Sequence, residues 1–194
     1  MLGRLREQYQ IALKPVGTIL AKLGFTPNMM TVLSLLVAIG GGAAYALGEA
    51  LIGALLIIAT GVVDMFDGAI ARATHSETRF GATFDHVLDR YAEFFIVFGI
   101  IFGGYSSWSI GFITLFGMLM ASFTRAKAES VGGLKSCTVG LAERQEKLLL
   151  LILGSVLIGV FRNALSWCII VVGVLSHITV VQRLYFTWIQ TGGK

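Results

Sequence analysis

Four aspartates and an arginine stand close together between residues 64 and 89. The stretch reads Asp64-Met65-Phe66-Asp67-Gly68-Ala69-Ile70-Ala71-Arg72, then eight residues, Gly81, three residues, Asp85, three residues and Asp89. Spacings of three (Asp64, Asp67) and four (Asp85, Asp89) put each pair on one face of a helix. Two such helices side by side aim four carboxylates at one point. Bare, these groups would repel one another and hold on to their protons. A divalent cation removes the conflict. Oxygen ligands with no Cys or His among them suit Mg2+ or Mn2+ better than zinc. Ion pairing with Arg72 and Arg90 is the structural alternative, but four acids outnumber two bases.

The elements that position these residues are membrane helices. The chain has 194 residues, 56% hydrophobic and only 13% charged, with mean hydropathy +0.81. A soluble domain carries about 25% charged residues. The expectation is one all-α membrane domain over residues 1–194. Its net charge of +4 marks a cytoplasmic side rather than nucleic-acid binding. Two cysteines, Cys137 and Cys168, imply no disulfide framework. No cleavable signal peptide is expected.

Residues 3–23 mix Arg4, Arg6, Lys14 and Lys22 with Leu5, Ile11, Leu13, Val16, Ile19 and Leu20. They predict an amphipathic helix lying on the bilayer, basic side toward anionic headgroups. Six transmembrane helices follow within residues 31–190. Their expected spans are Thr31–Leu47, Leu51 to about Ala73, about Phe80–Phe102, about Trp108–Glu129, about Glu143–Phe161, and Asn163 to about Gln190. The two halves of the aspartate stretch flank one short loop. With six spans, every Lys and Arg except Arg162 falls at the end that carries the aspartates, as does every acid except Glu49. The positive-inside rule puts that end at the cytoplasmic face of the cell membrane. Carboxylates within membrane helices mark function by default.

The pattern Asp-x2-Asp-Gly-x2-Ala-Arg-x8-Gly-x3-Asp-x3-Asp resembles the signature of the CDP-alcohol phosphotransferases in every element. That resemblance implies a phospholipid-synthesising transferase. An acceptor hydroxyl attacks the lipid-side phosphorus of a CDP-lipid, and CMP leaves. It implies that Asp64, Asp67 and Asp85 ligate Mg2+ or Mn2+, and that Asp89 is the general base and also touches a metal. It implies that Asn28, Asp67, Gly68, Ala71, Arg72 and Gly81 bind the nucleotide, and that the chain forms a homodimer. Residues 124–129 and 140–147 also resemble the inositol-phosphate-using branch of that family.

The acceptor is read from basic residues at the ends of the fourth, fifth and sixth helices. Arg125, Lys127, Arg144 and Arg183 are expected to form a cationic pocket for a phosphate monoester, with inositol 1-phosphate as the acceptor. Glycerol 3-phosphate and unphosphorylated alcohols are the alternatives. From other classes, an intramembrane prenyltransferase also pairs acid clusters with Mg2+ but needs no Gly-x2-Ala-Arg element. An ion-coupled transporter would place its acids nearer the bilayer middle. His75, His86 and His177 read as solvated or packing residues. Glu93 shares a face with Asp89 and reads equally as support or as site.

Overall fold

The computed structural model describes residues 13–192, and these are all-helical. Residues 3–12 of the expected interfacial helix lie outside the described part, while 13–22 form helix α1. Six more follow: α2 (Pro27–Ala46), α3 (Ala50–Thr74), α4 (Arg79–Phe102), α5 (Trp108–Ser130), α6 (Arg144–Leu157) and α7 (Ala164–Gln190). Cys137 and Cys168 are unpaired.

Local signals explain where helices start. Thr26 caps α2 by accepting from the Met29 N–H at 3.3 Å, and Pro27 follows at the first helical position, where its missing N–H costs nothing. The helix therefore begins four residues ahead of the expected Thr31. Thr78 caps α4 by accepting from the Gly81 N–H at 2.9 Å. Helix α6 is shorter than expected. It stops at Leu157, and 158–160 turn around Gly159, a residue with low helix propensity.

The helices turn apolar side chains outward. On α3, Leu51, Leu55, Ile58 and Val62 are exposed, while the opposite face buries Gly53, Ala54, Ile57 and Thr60. Such a stripe fits hydrocarbon, not water. Four helices, α2, α3, α5 and α7, are long and apolar enough to cross a membrane. Helix α4 is long enough but carries Arg79, Asp85, Asp89, Arg90 and Glu93. The 14 residues of α6 rise about 21 Å at roughly 1.5 Å each, short of a hydrocarbon core of about 30 Å.

The bundle has two halves. Helix α2 packs along α3 and α4, α7 packs along α5 and α6, and α3 meets α6 between the halves. With no water to drive helices together inside a bilayer, close backbone packing supplies the attraction. A Cβ on Gly99 of α4 would overlap the Gly42 backbone of α2, and one on Gly42 would overlap the Phe95 carbonyl. Similarly, Gly17 presses α1 against the Ala69–Ile70 backbone of α3, just past Asp67. A buried hydrogen bond between the Tyr45 and Ser155 hydroxyls, 2.7 Å, ties α2 to α6.

Gly99→Val should therefore cost about 1–3 kcal/mol or more, seen as a lower melting temperature and a smaller monodisperse fraction in detergent. Gly61→Ala, where an added methyl meets nothing within 4 Å, should leave both unchanged or slightly improved.

Candidate active site

The last turns of α3 carry Asp64 and Asp67, and the first turns of α4 carry Asp85 and Asp89. The chain reverses between them over 75–78, where His75 adopts a left-handed conformation (φ 53°) at the end of α3. One carboxylate oxygen from each of Asp64, Asp67 and Asp85 lies within 4.8 Å of the other two. Asp85, His86 and Asp89 form a second such group, although the His86 imidazole is largely exposed.

Each acid has a different partner. Asp64 Oδ2 accepts from Arg144 Nη1 at 2.8 Å, and Asp89 Oδ1 pairs with the same nitrogen at 2.8 Å. Asp67 Oδ2 accepts from the Thr31 hydroxyl at 2.9 Å, and Asp67 Oδ1 accepts from the Gly68 N–H. Asp85 Oδ1 is buried with no hydrogen-bond donor among the described residues. Buried carboxylate oxygens are rarely left so. An orphaned oxygen beside two further carboxylates fits a hard divalent cation, and the all-oxygen donors suit Mg2+ or Mn2+. Charge balance agrees. Asp64, Asp67, Asp85, Asp89 and Glu93 converge here, while the guanidiniums that pair with this group are Arg90 and Arg144.

The expected nucleotide residues sit around the same helix ends. The Arg72 guanidinium folds back over Gly68, where a Cβ would come within 2.9 Å of Arg72 Nη1. Arg72 makes no ion pair with the aspartates among the described residues; Arg144 takes that place. Asn28 faces the first turn of α4, since a Cβ on Gly81 would lie 3.7 Å from its Oδ1. Ala71 is half-buried one turn beyond Asp67. The starts of α2 and α4 and the end of α3 thus bring these polar residues together at one end of the bundle.

The four expected acceptor cations are not gathered at one point. Arg144 is inside the aspartate cluster. Arg183 is buried, and it donates from Nε to the Val139 carbonyl at 2.9 Å and from Nη1 to the Ala121 carbonyl at 2.6 Å. Arg125 pairs with Glu129 at 3.1 Å, and Glu129 also accepts from the Cys137 N–H at 2.9 Å. Lys127 is exposed, with its ammonium 5.6 Å from the Phe123 ring centre.

Two residues escaped the sequence reading. Thr31 supports Asp67, and its only signal is a hydroxyl one turn beyond Pro27. Ser122 accepts from Arg90 Nη1 and ties α4 to α5; nothing in the local sequence marks it.

Residues 25–179 match the CDP-alcohol phosphatidyltransferase family. The chain is 33% identical to an archaetidylinositol phosphate synthase of Pyrococcus horikoshii, over 95% of each chain. It is 34% identical to the enzyme of that name from Methanothermobacter thermautotrophicus, over 97% of this chain and 94% of the relative. Its fold is similar to that of a Mycobacterium tuberculosis phosphatidylinositol phosphate synthase at 28% identity. With CDP-DAG bound, that structure gives a TM-score of 0.82 over 91% of this chain and 93% of the other. In complex with manganese and citrate it gives 0.83 over 91% and 88%.

Removing the hydroxyl that supports a metal ligand typically costs about 10–100-fold in metal affinity. Thr31→Val should weaken Mn2+ binding, read by electron paramagnetic resonance of the free ion, by about tenfold, and Thr31→Ser should restore it.

Proposed function

Because the chain belongs to the CDP-alcohol phosphatidyltransferase family, we propose that it moves the phosphatidyl-type group of a CDP-lipid onto inositol 1-phosphate and releases CMP. The observation that carries this reading is the convergence of Asp64, Asp67 and Asp85 within 4.8 Å across two helices. The names of the relatives support the acceptor, and the CDP-DAG bound to the similar structure supports the donor.

Asp64, Asp67 and Asp85 would hold Mg2+ or Mn2+, with Asp89 at the edge of the same group. Bound there, the cation would supply charge neutralisation to the pyrophosphate of the donor. Asp89 takes the proton of the attacking acceptor hydroxyl. Asn28, Asp67, Gly68, Ala71, Arg72 and Gly81 receive the nucleotide: the missing side chain at Gly68 makes room for the Arg72 guanidinium, which supplies a phosphate donor. Of the four expected acceptor residues, Arg144 is the one beside the metal ligands. Arg125, Lys127 and Arg183 contribute positive charge around the α5–α6 connection.

The same reading puts the chain in the cell membrane with six crossings, α2 to α7, the short α6 crossing together with the apolar residues 158–161 that follow it, and the site at the cytoplasmic face. Charge supports it: the charged side chains of α4 are confined between Arg79 and Glu93, leaving an apolar run to Phe102. Exposed Ile19 and Leu23 beside Lys14 and Lys22 support an interfacial α1 whose close contact with α3 sets the site at the lipid–water boundary. There a lipid donor and a soluble acceptor meet. A homodimer belongs to this reading, and exposed Phe94, Phe112 and Phe116 on α4 and α5 offer apolar surface for it.

The test is CMP release from a CDP-lipid in detergent across a panel of acceptors. Release is expected with inositol 1-phosphate, to depend on Mg2+ or Mn2+, and to vanish in Asp89→Asn while binding of the CDP-lipid persists. Preference for glycerol 3-phosphate would move the acceptor within the phosphorylated class. Release with free inositol or serine, but not with either phosphate, would overturn the phosphate reading.

A further inference from the structure

Arg144 holds two positions at once in the charge network. Its Nη1 lies 2.8 Å from Asp64 Oδ2 and 2.8 Å from Asp89 Oδ1, so it neutralises one metal-ligand candidate and the candidate base. A guanidinium and a divalent cation compete for the same oxygens. On its other edge, Arg144 Nε stands 3.8 Å from Glu93 Oε1. That is an ion pair but not a hydrogen bond. Both atoms are buried, and neither has a hydrogen-bond partner among the described residues. Arg90 Nη2 lies 3.0 Å from the same Glu93 oxygen and is itself anchored on Ser122 through Nη1. The Glu93 carboxylate, 3% exposed, is therefore fixed from one side and under-used on the other. A shift of Arg144 by about 1 Å toward Glu93 would turn the 3.8 Å contact into a charge-assisted hydrogen bond of about 2.8 Å.

We propose that Arg144 and Glu93 couple metal loading to acceptor binding. Arg144 serves as the counter-ion of Asp64 and Asp89, and a divalent cation displaces it from them. Glu93 then retains it by Nε, with its Nη groups freed for the acceptor's phosphate. The displacement also uncovers Asp89 Oδ1, which can accept a proton only when the guanidinium has left it. Glu93 acts here as a positioning residue, since it works through Arg144. The inference rests on the reading of a phosphorylated acceptor. Coupling of this kind is reciprocal: if the metal favours acceptor binding, the acceptor must tighten metal binding by the same factor.

The experiment is Mn2+ binding to the full-length protein in detergent, by electron paramagnetic resonance, with free Mn2+ corrected for its complex with the phosphate. Without acceptor, Arg144→Gln should bind Mn2+ about tenfold more tightly than wild type. Arg144→Lys, whose single ammonium cannot span two carboxylates in the same way, should fall between them and serves if Arg144→Gln does not fold. Adding inositol 1-phosphate should tighten Mn2+ binding about tenfold in wild type and not in Arg144→Gln. Glu93→Gln should raise the KM for inositol 1-phosphate about tenfold at little change in the KM for the CDP-lipid, with Glu93→Asp recovering part of it. Equal or weaker Mn2+ binding in both Arg144 variants overturns the competition. Wild-type Mn2+ affinity unmoved by inositol 1-phosphate, while CMP is still released with that acceptor, overturns the coupling and leaves the acceptor reading standing. If CMP release with it fails as well, the acceptor reading falls and the coupling with it.

Discussion

Like charge crowded into one end of an apolar bundle sets the terms for everything else in this protein. Two unit charges about 5 Å apart repel by roughly 3 kcal/mol at an effective dielectric of about 20. Asp64, Asp67 and Asp85 make three such pairs, and Asp89 and Glu93 are both nearly buried beside them. A fold that merely had to be stable would discard this arrangement. Arg90 and Arg144 answer part of the charge, and the remainder suits the cluster to a divalent cation. The same remainder explains why Asp85 can leave an oxygen without a donor. An acid that accepts hydrogen bonds on every lone pair has little left for a metal.

The rest of the structure keeps that charge in place. The turn over 75–78 is short, and the Thr78 cap starts α4 at once, so the two aspartate pairs stay opposed. Glycine contacts between α2 and α4 fix the shared axis of one half. Thr31, on the same α2, reaches Asp67, so packing far along the helix and ligand orientation are linked through one rigid element. Helix α1 adds a further constraint, since Gly17 lies on the α3 backbone beside the Asp67-Gly68 turn. The aspartate cluster is thus built on helices rather than on loops, which holds its side chains to tighter tolerances.

Much of this was legible in the residues, and the boundary between what was and was not follows from distance along the chain. The aspartate pairs could be read because helical periodicity converts spacings of three and four into a shared face. Their opposition could be read because only a short polar stretch separates the two helices. Helix starts were misjudged where a cap overrides hydropathy: Thr26-Pro27 begins α2 before its apolar run does. Helix α6 ended early because apolar composition continues past Leu157 while helical geometry does not. The partner of Asp64 was out of reach, since Arg144 lies 80 residues away and nothing local distinguishes it from any other base near a helix start. Arg183 shows the converse limit. Its charge suggested a ligand, but nothing local foretold its two bonds to backbone carbonyls, which also make it a peg.

That peg matters for where positive charge ends up. Arg183 holds the Val139 carbonyl, Glu129 holds the Cys137 N–H, and Gln182 accepts from the Leu141 N–H at 3.0 Å. Three side chains from α5 and α7 therefore fix the backbone of the α5–α6 connection at 137, 139 and 141. Arg144 is the first residue of the helix that this connection delivers. A flexible connection would let α6 start in several places and would blur the position of the guanidinium by more than the roughly 1 Å that separates its ion pair with Glu93 from a hydrogen bond. Arg183, and Arg125 through Glu129, use their charge on shaping the connection, and that shape aims one guanidinium, Arg144, at Asp64 and Asp89.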